Sequence, residues 1–297
     1  MAVNSTPELH LFSLPNEVFV QILTPFTTHE LLALATVSHR FHALVLRLLH
    51  YRLLSASLAE YELILECFHP TSKLTEPHVF CKYLGTPGLS DKYEGEGSLY
   101  ENVDTAGQLG RLGSVYSIFR PVETEEEVSG PSEQLDPEGP IDDSLAVRRP
   151  VSIEGFEDFS QLCVVVNVVK VIPGTDVLLS AVNVEDGVIR LFRDWLKGQV
   201  NRPPNPNHHK SSDGPESGLL WVDRGKNVAL RFSVREVNKL DSSFPVLVHR
   251  DEESFSSYEI SIDELHVRTT RLLLTVEQSL REQQNYPKAV VFTASMG

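Results

Sequence analysis

The spacing of apolar residues changes near residue 58, and that change constrains the fold more than any other feature of the chain. Before it, apolar side chains recur at intervals of three and four: Val18, Ile22 and Leu23, then Leu31, Leu34 and Ala35, then Phe41, Leu44, Val45, Leu48 and Leu49. That is the spacing of a helix face. After it come short runs rich in Val, Leu, Ile and aromatics at residues 60–68, 114–119, 162–172, 177–184, 219–222, 228–234 and 246–249. They are bounded by turn formers such as Pro173-Gly174 and Arg224-Gly225, and they read as strands. Two amphipathic helices are expected among them. One places Val188, Leu191, Phe192, Trp195 and Leu196 on one face, with Asp186 as its cap and Gly198 at its end. The other runs over about residues 263–284, with Ile262, Leu265, Leu272, Val276 and Leu280 on one face and Ser261-Ile262-Asp263-Glu264 in the form of a capping box. A last strand is expected at 289–293. The class is α+β: three N-terminal helices over residues 9–57, then one β-rich, sandwich-like domain over 58–297.

Charge is distributed unevenly. The formal net charge is −15, and residues 88–147 hold fourteen acidic side chains against three basic ones. Nucleic acids and anionic membranes are bound by clustered Lys and Arg, so neither is an expected partner. Residues 121–147 combine acid with Pro, Gly and Ser and offer little to bury, so they read as a disordered insertion. Residues 197–218 read as a second exposed loop. The first ten residues lack a basic stretch, and no run approaches the roughly 18 apolar residues of a membrane span. Cys67, Cys81 and Cys163 are an odd number at wide spacing, which suits a reducing compartment and buried thiols. A soluble, intracellular protein of the cytoplasm or nucleus is expected.

The N-terminal helices carry clear start and stop signals. Leu14-Pro15 precedes the first, where Glu17 suits the positive helix end, and Thr24-Pro25 stops it. Thr27-Thr28-His29-Glu30 is a capping-box pattern, and Ser38 caps a third helix. Three short helices bury too little surface to stand alone, so they need a partner or a neighbouring domain.

The ordered set Leu14-Pro15-x-Glu17-Val18, Ile22-Leu23, Leu31, Leu34 and Val37-Ser38-x-Arg40-Phe41 closely resembles the F-box, over about 45 residues from position 9 to 54. Pro25 and Phe41 depart from the family, which often has a hydrophobic residue and a Trp there. The resemblance implies that Leu14, Pro15, Glu17, Val18, Ile22, Leu23, Leu31, Leu34, Val37, Ser38 and Phe41 dock onto a Skp-type adaptor and, through it, a cullin. It further implies a non-catalytic substrate receptor of a ubiquitin ligase, with the C-terminal domain holding an unknown protein target. A second reading is an F-box protein with a lectin-like, glycan-binding sandwich, and a third is a small hydrolase.

Other chemistries find little support. His10, His29, His39, His42 and His50 crowd this segment without acidic or Cys ligands at metal-site spacing, and they read as surface or adaptor-facing side chains. Cys67, His69, His78 and Cys81 lack a CxxC or HxxxH pair. Gly95-x-Gly97 and Gly107-x-x-Gly110-x-x-Gly113 sit among acids that repel phosphate, and all five read as loop glycines with positive φ. No nucleophile stands with a base in a known catalytic motif. No metal, cofactor or enzymatic activity is expected, and Trp195 and Trp221 read as core.

Overall fold

A computed structural model describes residues 13–55, 61–73, 76–122, 146–171, 178–200, 218–237 and 255–285. The chain divides into two compact units, one formed by Met1–Ser57 with Gly88–Ser114, the other by Leu58–Pro87 with Val115–Gly297. The architecture is mixed α+β, with three N-terminal helices followed by a sheet-rich domain.

The first unit is helical: α1 (Asn16–Leu23), α2 (Thr28–Leu34), α3 (His39–Ser55) and α4 (Thr105–Gly113). Pro15, with φ −59° and ψ 154°, stands at the start of α1, and Glu17 lies in its first turn. α2 opens on the expected capping box: the Thr27 amide donates to Glu30 Oε2 at 2.7 Å, and the Glu30 amide donates to Thr27 Oγ1 at 3.4 Å. Ser38 Oγ accepts from the Phe41 amide at 3.3 Å. α3 is buried at Phe41, Leu44, Val45, Leu46, Leu48, Leu49, His50 and Leu53, more than one helix face can hold. Phe19 meets Phe41 edge to face at 5.5 Å, which fixes α1 on α3. The helix α4 corrects an expectation. Gly107, Gly110 and Gly113 are helical, because Asp104 caps the helix by accepting from the Gly107 amide at 3.2 Å, whereas Gly95 and Gly97 do have positive φ, at 90° and 83°.

The second unit contains β1 (Glu62–Phe68), β2 (Val79–Gly85), β3 (Tyr116–Val122), β4 (Arg148–Ile153), β5 (Phe159–Val171), β6 (Leu178–Phe192), α5 (Arg193–Val200), β7 (Leu219–Trp221), β8 (Val228–Glu236), β9 (Ser256–Arg268) and α6 (Thr269–Asn285). Among the described residues these nine strands form one sheet, in the order β6-β5-β1-β2-β3-β9-β8-β7, with β4 paired on β9. The pairings are antiparallel. The sheet curls until its ends approach each other: a Cβ on Gly187 of β6 would stand 2.8 Å from the Val222 carbonyl oxygen beside β7. Its inner face holds one core, including Leu63, Leu65, Phe119, Val164, Val166, Leu230, Ile260 and Leu265. Trp195 packs against that core. Trp221 departs from expectation, being only half-buried between Tyr116 and Lys226, at 5.5 and 5.2 Å.

Two expected helices are shorter than their apolar spacing suggests. Residues 186–192 belong to β6, and only Arg193–Val200 is helical. Val188, Ile189, Leu191 and Phe192 satisfy both periods; cross-strand pairing with residues 159–163 decides, leaving Ile189 and Leu191 buried and Val188, Arg190 and Phe192 exposed. Likewise 263–268 end β9, and the helix begins at Thr269. Asp263 accepts from Ser233 Oγ, and Glu264 pairs with Arg231 at 3.1 Å, so the apparent capping box is part of a strand. β2, β4 and β9 were missed. Pro150 in β4 is tolerated because, among the described residues, that strand pairs only with β9. The expected insertion at 121–147 also begins too early and ends too late: Pro121 and Val122 are in β3, and Val147 is fully buried with its carbonyl accepting from the Ile262 amide at 2.9 Å. The second expected loop, 197–218, also begins too early, since 197–200 belong to α5. Residues 123–145, 201–217, 246–249 and 289–293, which carry the rest of the loop expectations and two expected strands, lie outside the described residues.

Candidate functional site

α1 to α3 present apolar side chains to solvent, although a small helical unit has every reason to bury them. Val18 and Ile22 stand four residues apart on one face of α1, 37% and 43% exposed. Val37 is 59% exposed in the turn before α3. Pro15 and Glu17 are exposed beside them in sequence, while Leu14, Leu34 and Ser38 are half-buried. Leu23, Leu31 and Phe41 are core residues of this unit, so they shape the surface from beneath.

Sequence reasoning missed part of this surface. Phe26 and Leu32 are exposed as well. Leu32 was legible in principle, since it neighbours Leu31 and both cannot face inward from one helix. Phe26 lies in the α1–α2 connection, where no periodicity applies.

Two arginines of α3 hold the two connections that frame the surface. Arg40 donates to the Leu14 carbonyl and to Asn16 Oδ1, through Nε at 3.1 Å and Nη2 at 2.9 Å, and its guanidinium lies 4.6 Å from the centre of the Phe19 ring. Arg52 Nη2 donates to the carbonyls of Thr24 at 2.8 Å and Phe26 at 2.5 Å. Charge-assisted bonds to carbonyls fix backbone positions that no helix repeat dictates. Arg40 belongs to the family pattern, and the structure gives it a positioning role. A groove of about 430 Å³ runs between α1 and α3 over Val20, Leu44 and Leu48, with Glu17, Arg47 and Tyr51 at its rim.

The histidines are placed unequally. His10 lies outside the described residues, His29 and His39 are exposed, and His42 is half-buried. His50 corrects the surface expectation: it is fully buried, its Nδ1 3.0 Å from the Tyr100 hydroxyl and its Nε2 3.0 Å from the Ser90 carbonyl oxygen. Burial holds this imidazole below its ordinary 6.5, although the Ser90 carbonyl and Asp91 pull the other way. Tyr93 and Tyr100 pack around the ring at 5.5 Å each, and burial pushes the Tyr93 phenol up to about 12. In the second unit Cys67 and Cys81 are buried, and loss of water pushes the Cys67 thiol up to about 12. His69 bonds Thr71 at 2.7 Å and His78 packs on Phe80. Among the described residues no three His, Cys, Asp or Glu side chains stand together as metal ligands would.

Residues 11–55, which span α1 to α3, match the model of the F-box-like family. No curated protein and no solved structure matches the chain. No described helix is long and apolar enough to cross a membrane.

Proposed function

Since the chain carries an F-box-like domain over residues 11–55, we propose that it is a substrate receptor of a Skp-cullin-F-box ubiquitin ligase. The observation that carries this reading is the coincidence of the family match with solvent-facing Pro15, Val18, Ile22 and Val37 on the matched helices. F-box domains dock onto a Skp-type adaptor, which reaches a cullin, and the ligation chemistry takes place elsewhere in the assembly. Leu14, Pro15, Glu17, Val18, Ile22, Leu34, Val37 and Ser38 form the docking face, with Phe26 and Leu32 beside them in sequence. Leu23, Leu31 and Phe41 support it from the core. The sheet-rich unit holds the protein target.

Binding of the purified full chain to a purified Skp-type adaptor tests the first half. Interface anchors cost about 2 kcal/mol or more when truncated, so changing Leu14 and Pro15 together to Ala is expected to weaken binding at least tenfold. Adaptor binding that is absent in the unaltered chain, or undiminished by the double change, overturns the docking face. A glycan array probed with the same protein separates a protein receptor from a lectin.

A further inference from the structure

At one end of the β5–β6 hairpin a strand edge that is unpaired among the described residues coincides with exposed aromatic side chains. β6 terminates the sheet, bonded on one side to β5. Its first part is covered on the other side, where Arg271 Nε donates to the Val184 carbonyl at 2.9 Å and Ser180 bonds Ser279 of α6. From residue 188 to 192, among the described residues, backbone groups bond only to β5. Such an edge is a template for another strand, and native proteins ordinarily cover or charge it.

Two of the three exposed side chains at this edge are apolar. Val188 and Phe192 are 48% and 50% exposed, and Phe192 packs on Phe159 across the hairpin at 5.4 Å. Arg190 lies over the Phe159 ring at 5.2 Å. Buried Arg193 gathers two more aromatics: it donates to the Glu154 and Glu157 carbonyls at 2.6 and 2.9 Å and to Ser256 Oγ at 3.3 Å. These bonds pin the turn that carries Phe156, 80% exposed, and the residue that follows exposed Phe255. Arg193 is thus engaged inside, while among the described residues Glu154, Glu157, Asp158, Asp186 and Asp194 are exposed on these segments against the exposed cations Arg190 and Lys197. The local charge is negative.

Each feature selects the same occupant. Backbone donors and acceptors at strand spacing are matched in register by those of an extended chain, whereas a helix has its own groups engaged. The alternation of Val188, Arg190 and Phe192 on one side of β6 calls for alternating apolar side chains in that chain, and the acidic surround calls for Lys or Arg. We infer that the 188–192 edge of β6 binds an extended, lysine- or arginine-rich peptide segment of the target as an added strand; the word target here rests on the receptor reading above.

The test uses the full chain and an array of octapeptides with Lys or Glu at odd positions and Val, Ile, Leu or Phe at even ones. Lys peptides are expected to bind and Glu peptides to fail. N-methylation of alternate amides on the bonding side of the best Lys peptide is expected to weaken it at least tenfold, and its unmethylated form to slow amide exchange at 188–192. Changing Val188 and Phe192 together to Lys is expected to cost at least tenfold without moving the melting temperature; Phe156→Ser, at a site more exposed still, is expected to weaken binding severalfold. Equal binding of Glu peptides, indifference to N-methylation, failure of every peptide, or dimerisation of the chain through this edge overturns the inference. Adaptor binding measured on the same sample separates the two claims: its loss with peptide binding intact removes the receptor reading and leaves the edge site, and the reverse result removes the edge site alone.

Discussion

His50 shows how a single buried side chain sets a pH dependence. Its imidazole is held neutral in the fold, below the 6.5 of the unfolded chain, so the unfolded chain takes up the proton first. The stabilisation from His50 is therefore complete above pH 6.5 and lost as pH falls from there through the lowered folded value. Thermal melting of the chain followed by circular dichroism between about pH 7.5 and 5 is expected to show this loss, with a smaller slope in His50→Gln. At Gly187 the constraint is steric. An added Cβ would stand 2.7 Å from Val222 Cγ1 and 2.8 Å from the Val222 carbonyl oxygen, and the backbone atom cannot swing aside. Gly187→Ala is expected to cost about 1–3 kcal/mol, read from denaturant unfolding. Arg149 is the polar counterpart: it donates to the Cys67 carbonyl at 3.0 Å and stands 3.4 Å from the Glu76 carboxylate, both side chains being largely buried. Arg149→Met is expected to cost about 3–5 kcal/mol by stranding Glu76, and adding Glu76→Gln is expected to recover part of it.

At the scale of elements, α2 is only seven residues long, too short to persist on propensity alone. Its capping box and the packing of Leu31 carry it. Thr27→Ala removes the acceptor for the Glu30 amide, and the expected loss is about 1 kcal/mol in the unfolding of the helical unit. The same change is expected to weaken adaptor binding, because Leu32 and the Phe26 connection move with α2. α3 has the opposite character: apart from its packed faces, it carries the clamps Arg40 and Arg52, twelve residues apart, on the connections before α1 and α2.

At the scale of the molecule, the chain threads its two units alternately. It leaves the helical unit after Ser57, builds β1 and β2, returns for Gly88–Ser114 and then enters the sheet again at β3. The return segment supplies Tyr100 and Ser90, the partners of buried His50. A fragment of residues 1–57 is accordingly expected to melt broadly. Joining residues 88–114 to it through a glycine-serine linker is expected to restore a cooperative transition.

The sequence by itself determined the family-bearing helices. Capping, helix stops and heptad-like spacing are local, so the α2 capping box, the Ser38 cap and the order of α1 to α3 were all written within four residues of where they act. Strands such as β1, β5 and β8 were legible for the same reason: runs of β-branched residues bounded by turns. Tertiary structure decided everything that depends on a distant partner. Val188–Phe192 and Ile262–Leu265 fit a helix as well as a strand, and only pairing with β5 and β8 chose between them. His50 looked like one surface histidine among five until residues forty and fifty positions away enclosed it. The proposed docking face divides in the same way: its residue set follows from the resemblance to the F-box, but which members face solvent and which lie beneath depended on the Phe19–Phe41 contact and the Arg40 clamp. Local rules act through backbone geometry over one turn or one strand, whereas burial is a property of whatever the rest of the chain brings alongside.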